Sequence, residues 1–178
     1  MTTIIGIQNA DGCSIYADSQ TTAGDRPYLH RDLAKIIERN GYYLACAGSA
    51  RASDVVNWLW LPPHCNVIDN DELYEHMLVS VIPSLRNALV LNGFPVDASN
   101  EEDFTMLVAI RGCLFEVASD FSVLQRHDGY YGVGTGYPYA IGALCSLATP
   151  LEAMRIAISN DIYSGGEIQA VFQEKNYD

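Results

Sequence analysis

The chain has 178 residues, 49% of them hydrophobic and 18% charged, the balance of an ordinary globular domain. Its 10 Lys and Arg against 22 Asp and Glu leave a net charge of −12, which excludes the phosphate neutralisation that nucleic-acid binding needs. No apolar run approaches the roughly 20 residues of a membrane span, and the start lacks the basic and apolar regions of a signal peptide, so a single domain over 1–178, cytoplasmic and without membrane contact, is expected.

Thr3–Gln8 reads as a strand, Asn9-Ala10-Asp11-Gly12 as a turn, and 13–18 as a second strand, so the chain opens with a hairpin. Residues 19–31 are polar, bear Gly and Pro, and read as a loop. Residues 35–39 and 42–47 flank Asn40-Gly41, a strong signal for another hairpin. Residues 50–61 read as a helix stopped by Pro62-Pro63. The longest helical pattern is 71–92, with apolar residues at three- and four-residue steps from Leu73 to Leu89. Asp71 and Glu72 favour its start, Gly93 its end, and Pro83 predicts a kink.

Residues 104–110, 114–118 and 121–124 read as an antiparallel meander, and 138–147 as a short helix. Thr149-Pro150-Leu151-Glu152 is a capping box opening a helix to about residue 160, and 168–173 is a last strand. Two antiparallel sheets between helical layers satisfy this order, an α+β fold. The five cysteines, Cys13, Cys46, Cys65, Cys113 and Cys145, contain no C-x-x-C pair and read as free thiols. No metal or cofactor is expected.

The chemistry begins at Met1-Thr2. A small second side chain permits removal of the initiator methionine. A chain beginning at Thr2 would carry a hydroxyl nucleophile and an α-amine base on one residue. An ammonium nearby lowers the amine pKa from its usual value of about 7.7–8.0. Lys35 could supply that charge; the chain has only two lysines, and the other, Lys175, lies in the polar tail. Asp18, across the first hairpin from Thr2, is the carboxylate placed to hold that lysine. Gly48, between a strand and a helix, suits a backbone N–H oxyanion donor, with Ser49 as the alternative.

Six blocks in order resemble proteasome β-type subunits, and in length and start the bacterial HslV-type peptidase. They are Thr2-Thr3-Ile4-Ile5-Gly6-Ile7; Tyr16-Ala17-Asp18-Ser19-Gln20-Thr21-Thr22; Leu33-Ala34-Lys35-Ile36; Cys46-Ala47-Gly48-Ser49-Ala50; Gly134-Thr135-Gly136-Tyr137-Pro138-Tyr139-Ala140; and Asp161-Ile162-Tyr163-Ser164-Gly165-Gly166. The resemblance implies an α-β-β-α sandwich, the N-terminal nucleophile hydrolase fold, of threonine type.

It implies Thr2, Asp18, Lys35 and Gly48 in the roles above. Thr135, Asp161 and Ser164 would orient the threonine, with Thr135 standing where the family has serine. Thr22 would bond an extended peptide, and Thr21, Ile37, Cys46 and Ala50 resemble specificity-pocket positions. All are uncharged, which suggests apolar or small residues before the cut. A homo-oligomeric ring enclosing the sites is implied, with polypeptide substrates and room for a separate ATP-dependent unfoldase. The alternatives are an inactive ring subunit or scaffold of the same fold, and an amidohydrolase acting on a small amide.

Overall fold

The computed structural model describes residues 2–23, 26–29, 34–67, 69, 72–96 and 103–175. Alternation in the first strand sets the layering. In β1 (Thr3–Gln8), Ile4 turns into one apolar cluster and Ile5 into another on the opposite face, as the two-residue repeat of a strand dictates. β1 pairs antiparallel with β2 (Gly12–Asp18), Ile4 lying opposite Ala17. Asn9 makes the turn between them, its Oδ1 accepting from the N–H of Asp11 and of Gly12.

β3 (Gln20–Ala23) and β4 (Arg26–Leu29) form a small antiparallel ribbon. This corrects the loop expected over 19–31. Thr21 and Thr22 sit well in a strand, but their neighbours are polar and supply no apolar alternation to reveal it. β5 (Ile36–Arg39) and β6 (Tyr42–Gly48) form the next hairpin around Asn40 and Gly41, both at positive φ, as a type I′ turn requires.

The expected helix over 50–61 is α1 (Ala50–Asp54), continuing as a π-helical turn, Val55–Leu59, and stopping at the extended Trp60. The pattern over 71–92 resolves into α2 (Leu73–His76), a π turn at Met77–Val81, and α3 (Ile82–Leu91). Asp71, expected at its start, lies outside the described residues. Pro83 has no N–H to offer the preceding turn, and the widened turn ends just before it.

β7 (Phe104–Ile110), β8 (Cys113–Ala118) and a short β9 (Val123–Leu124) complete a sheet of order β5-β6-β7-β8-β9. Phe121 has a positive φ, so the third meander strand begins later than expected. β10 (Tyr130–Gly134) was not expected. Its glycines obscure the strand pattern, yet it pairs with β1 along its length. α4 (Tyr137–Cys145) and α5 (Pro150–Asn160) follow, α5 opening on the expected capping box between Thr149 and Glu152. β11 (Ile168–Glu174) joins β2 and gives the second sheet the order β10-β1-β2-β11.

Three apolar clusters weld four layers. Ile4, Ile15 and Ala17 meet Ala45, Ala47, Leu107 and Leu114 between the two sheets. Ile5 meets Ala140, Leu144, Met154 and Ala157 of α4 and α5. On the far side Leu44, Met106, Val108 and Phe115 pack against Val56, Met77, Leu85 and Leu89. The architecture is the α-β-β-α sandwich expected, with antiparallel sheets inside and helices outside. No helix among the described residues is long and apolar enough to cross a membrane.

Candidate active site at the start of the first strand

Thr2 stands immediately before β1 and is held from both neighbouring strands. Just past β10, the Thr135 N–H donates to the Thr2 carbonyl at 2.8 Å. Close approach there requires glycine: Gly134 has φ +90°, and a Cβ on it would collide with the Thr2 carbonyl oxygen. From β2, Asp18 Oδ1 accepts from the Thr3 N–H at 2.9 Å and from the Thr2 hydroxyl. Asp18 is fully buried and Thr2 nearly so.

Lys35, just ahead of β5, reaches the same point from the other sheet. Its Nζ donates to Thr2 Oγ1, to Asp18 Oδ1 at 2.7 Å, and to the Gln20 carbonyl. The Lys35 backbone N–H is itself held by Gln169 Oε1 on β11, at 2.8 Å. Burial pulls the Lys35 ammonium below the ordinary lysine range, and the adjacent Asp18 carboxylate works against that pull. The second Asp18 oxygen accepts from the N–H groups of Gln20 at 3.2 Å and Gly165 at 2.9 Å. A buried charge is tolerable when donors surround it in this way.

A second carboxylate lies beyond Thr3. Asp161, at the end of α5, accepts from Thr135 Oγ1 at 2.7 Å and Ser164 Oγ at 2.6 Å, both on Oδ2. The Ser164 hydroxyl proton is thereby committed, so the 2.7 Å contact between Thr3 and Ser164 is donated by the Thr3 hydroxyl. The expected supporting trio of Thr135, Asp161 and Ser164 does come together. These contacts reach the front of the chain through the Thr3 hydroxyl and through the backbone bond of Thr135 to Thr2, a route the sequence did not suggest.

The backbone N–H groups of Gly48 and Ser49 point in different directions. The Ser49 N–H donates to the Asp103 carbonyl at 2.9 Å. Bonded and unbonded pairs alternate along an antiparallel ladder, so Gly48, opposite Phe104, directs its N–H away from β7. Gly48 also borders the cleft beside Thr2. Its φ is +103°, and a Cβ would run into the Asp103 carbonyl.

That cleft, of about 280 Å³, opens between β3, the end of β6 and α1. Thr21, Thr22, Cys46 and Ala50 line it as expected. Ile37 does not: it packs against the core beneath α1–α3. Five lining residues were not anticipated, namely Gln20, Ala47, Ser53, Asp54 and Asn57. The last three follow Ala50 at three, four and seven residues, the spacing of one helix face, and that was the signal available. Among the described residues no three of His, Cys, Asp and Glu gather in a way that would hold a metal ion.

No protein-family model and no curated protein matches the chain. Solved structures match over nearly all of it. BPH from Thiobacillus denitrificans, solved in complex with epoxomicin, is 22% identical with a TM-score of 0.73, over 98% of this chain and 100% of that one. Eukaryotic HslV from Trypanosoma brucei is 20% identical with a TM-score of 0.66, over 97% and 99%. Anbu, an ancestral β-subunit, from Yersinia bercovieri is 16% identical with a TM-score of 0.69, over 97% and 81%.

The chain has the proteasome β-type, HslV-like fold. The start of β1 lies where the two sheets and α1 open onto the cleft. Thr2, Asp18 and Lys35 meet there from three different segments.

Proposed function

We propose that the protein is a threonine-type endopeptidase that cleaves unfolded polypeptides, with Thr2 as nucleophile once Met1 is removed. Met1 lies outside the described residues, and its loss is part of the proposal. One observation carries the reading: the Thr2 hydroxyl touches both Asp18 and the Lys35 ammonium at the edge of a cleft bordered by Gly48.

In this reading the substrate runs extended beside β3, with Thr22 bonding its backbone. Thr2 Oγ1 attacks the scissile carbonyl carbon, and its proton passes to the freed α-amine. Lys35 keeps that amine neutral by like-charge repulsion and stabilises the oxygen as its proton departs. The Gly48 N–H receives the developing oxyanion. The carbon–nitrogen bond breaks, the leaving amine takes the proton, and an ester to Thr2 remains. Water, activated by the same α-amine, then hydrolyses the ester and restores the hydroxyl.

A homo-oligomer that encloses the sites is part of the proposal. Anbu from Pseudomonas aeruginosa, 17% identical with a TM-score of 0.69, was solved as a helical assembly. An enclosed site admits only unfolded chain, so unfolding would fall to a separate ATP-dependent partner.

Intact mass spectrometry is expected to find the protein without Met1, and fluorogenic peptides to be hydrolysed by wild type. Thr2→Ala should lose activity by about a thousandfold or more, as removal of an activated nucleophile does. Epoxomicin, the ligand of the Thiobacillus denitrificans neighbour, is expected to add its mass to wild type and not to Thr2→Ala. Retained Met1, or equal turnover by both proteins, would sink the assignment.

A further inference from the structure

The uncharged residues expected around the pocket pointed to apolar or small side chains before the cut. One wall of the cleft departs from that expectation. Its α1 wall presents Ser53, Asp54 and Asn57 from one helical face. Asn57 is 7% exposed, and its Oδ1 is buried without a hydrogen-bond partner. A buried acceptor left open in a protein interior is uncommon and calls for an explanation. The main chain there is well fixed: the Arg39 guanidinium donates to the Asn57 carbonyl at 2.6 Å, and Asn57 sits inside the π turn. Single π turns of this kind are frequent at functional sites.

The charges agree with acceptors on that wall. Asp54 is exposed, and it makes neither of the ion pairs found among the described residues, Lys35 with Asp18 and Arg126 with Asp128. Among the described residues, the one cation bordering the cleft, Lys35, is engaged by Asp18, Thr2 and the Gln20 carbonyl. Asp54 therefore offers its carboxylate to whatever enters.

We infer that this cleft takes a cationic side chain on the residue just before the scissile bond, with Asn57 and Asp54 as its specificity-determining residues. Asn57 Oδ1 accepts a hydrogen bond from the guanidinium or ammonium, and Asp54 supplies the opposite charge at the rim. An aliphatic side chain leaves Asn57 Oδ1 desolvated and unpaired, and an acidic one meets Asp54 with like charge. The chain's net charge of −12 draws cationic peptides toward the site from a distance. The inference rests on the peptidase reading for the position of the scissile bond, and the cleft's chemistry is testable apart from it.

The test uses fluorogenic peptides alike except for Arg, norleucine or Asp before the coumarin amide. The Arg peptide is expected to show kcat/KM at least about tenfold above norleucine, with the Asp peptide lowest. Asp54→Asn should lower the Arg peptide about tenfold and leave norleucine within about twofold, because only the cation senses the lost charge. Asn57→Leu, with melting checked first, should bring the two peptides together from both directions.

A norleucine preference, or an Arg-to-norleucine ratio unchanged in Asp54→Asn, would overturn the inference. If no peptide is cut, titration calorimetry with the matching Arg and norleucine peptide amides decides. Arg binding about tenfold tighter and weakened by Asp54→Asn keeps the cleft assignment while the peptidase reading fails. Equal binding of the two amides, or none, removes the assignment.

Discussion

At the residue scale, the site is an economy of few ionisable groups. Asp18 collects donors from Thr2, Thr3, Gln20, Lys35 and Gly165, so one carboxylate ties together four segments of chain. Lys35 was legible because the chain has only one other lysine, and Asp18 because it closes the strand beside Thr2. Asn57 was not, since an open acceptor becomes visible only when its surroundings are known. The Thr3 hydroxyl was overlooked for a similar reason: its partner Ser164 is 161 positions away along the chain.

The thiols permit a direct check on burial. Burial pushes Cys13 up to about 12 and Cys46 up to about 11, whereas Cys145 is exposed. Iodoacetamide at neutral pH is therefore expected to modify Cys145 first and to leave Cys13 and Cys46 unlabelled until denaturant is added, as peptide mapping would show.

His76 supplies a pH signature. Burial holds its imidazole below the ordinary histidine range, and Nε2 lies 2.7 Å from the Tyr42 hydroxyl. The unfolded chain takes up a proton near pH 6.5, the folded one only at lower pH. The sign follows from that difference: stability is unaffected above the unfolded value and falls as pH drops through it toward the folded value. His76→Phe should flatten the dependence of melting temperature on pH between about 7 and 5.

At the scale of elements, periodicity and capping carried most of the information. The Thr149 box forms as its spacing required, with the Thr149 N–H donating to Glu152 Oε2 at 2.8 Å and the Glu152 N–H to Thr149 Oγ1 at 3.3 Å. Thr149→Ala is expected to cost about 1 kcal/mol in chemical denaturation, since the Glu152 N–H at the start of α5 loses its partner. The elements that escaped were the ones whose reason is tertiary. β10 is a strand because β1 lies beside it, and its glycines serve close contacts rather than strand propensity. The β3–β4 ribbon has no apolar face to announce it.

At the scale of the whole molecule, the order of strands and helices was enough to foresee two sheets between helical layers. Contacts between copies leave no such mark in one sequence. The surface nevertheless carries large apolar side chains that no described residue covers, including Trp58 at 61% exposure, Leu61 at 65% and Leu91 at 75%. Where such side chains gather, they commonly mark places where proteins meet. Light scattering on the eluting protein is expected to give a mass many times the 19.6 kDa of one chain. A lasting monomer would remove the enclosed chamber from the proposal.

The way Thr2 is pinned has a practical consequence for making the protein. Its carbonyl is fixed by Thr135 and the next N–H by Asp18, so the strand has no slack to move the hydroxyl. Under the proposed mechanism, an affinity tag fused ahead of Thr2 would tie up its nitrogen in an amide and give a folded but silent preparation. β11 runs the other way: Ile168 lies opposite Asp18, and Glu174 opposite Gly12 at the far end of the sheet. A tag that follows β11 therefore departs from the side of the molecule remote from Thr2, and purification handles belong there.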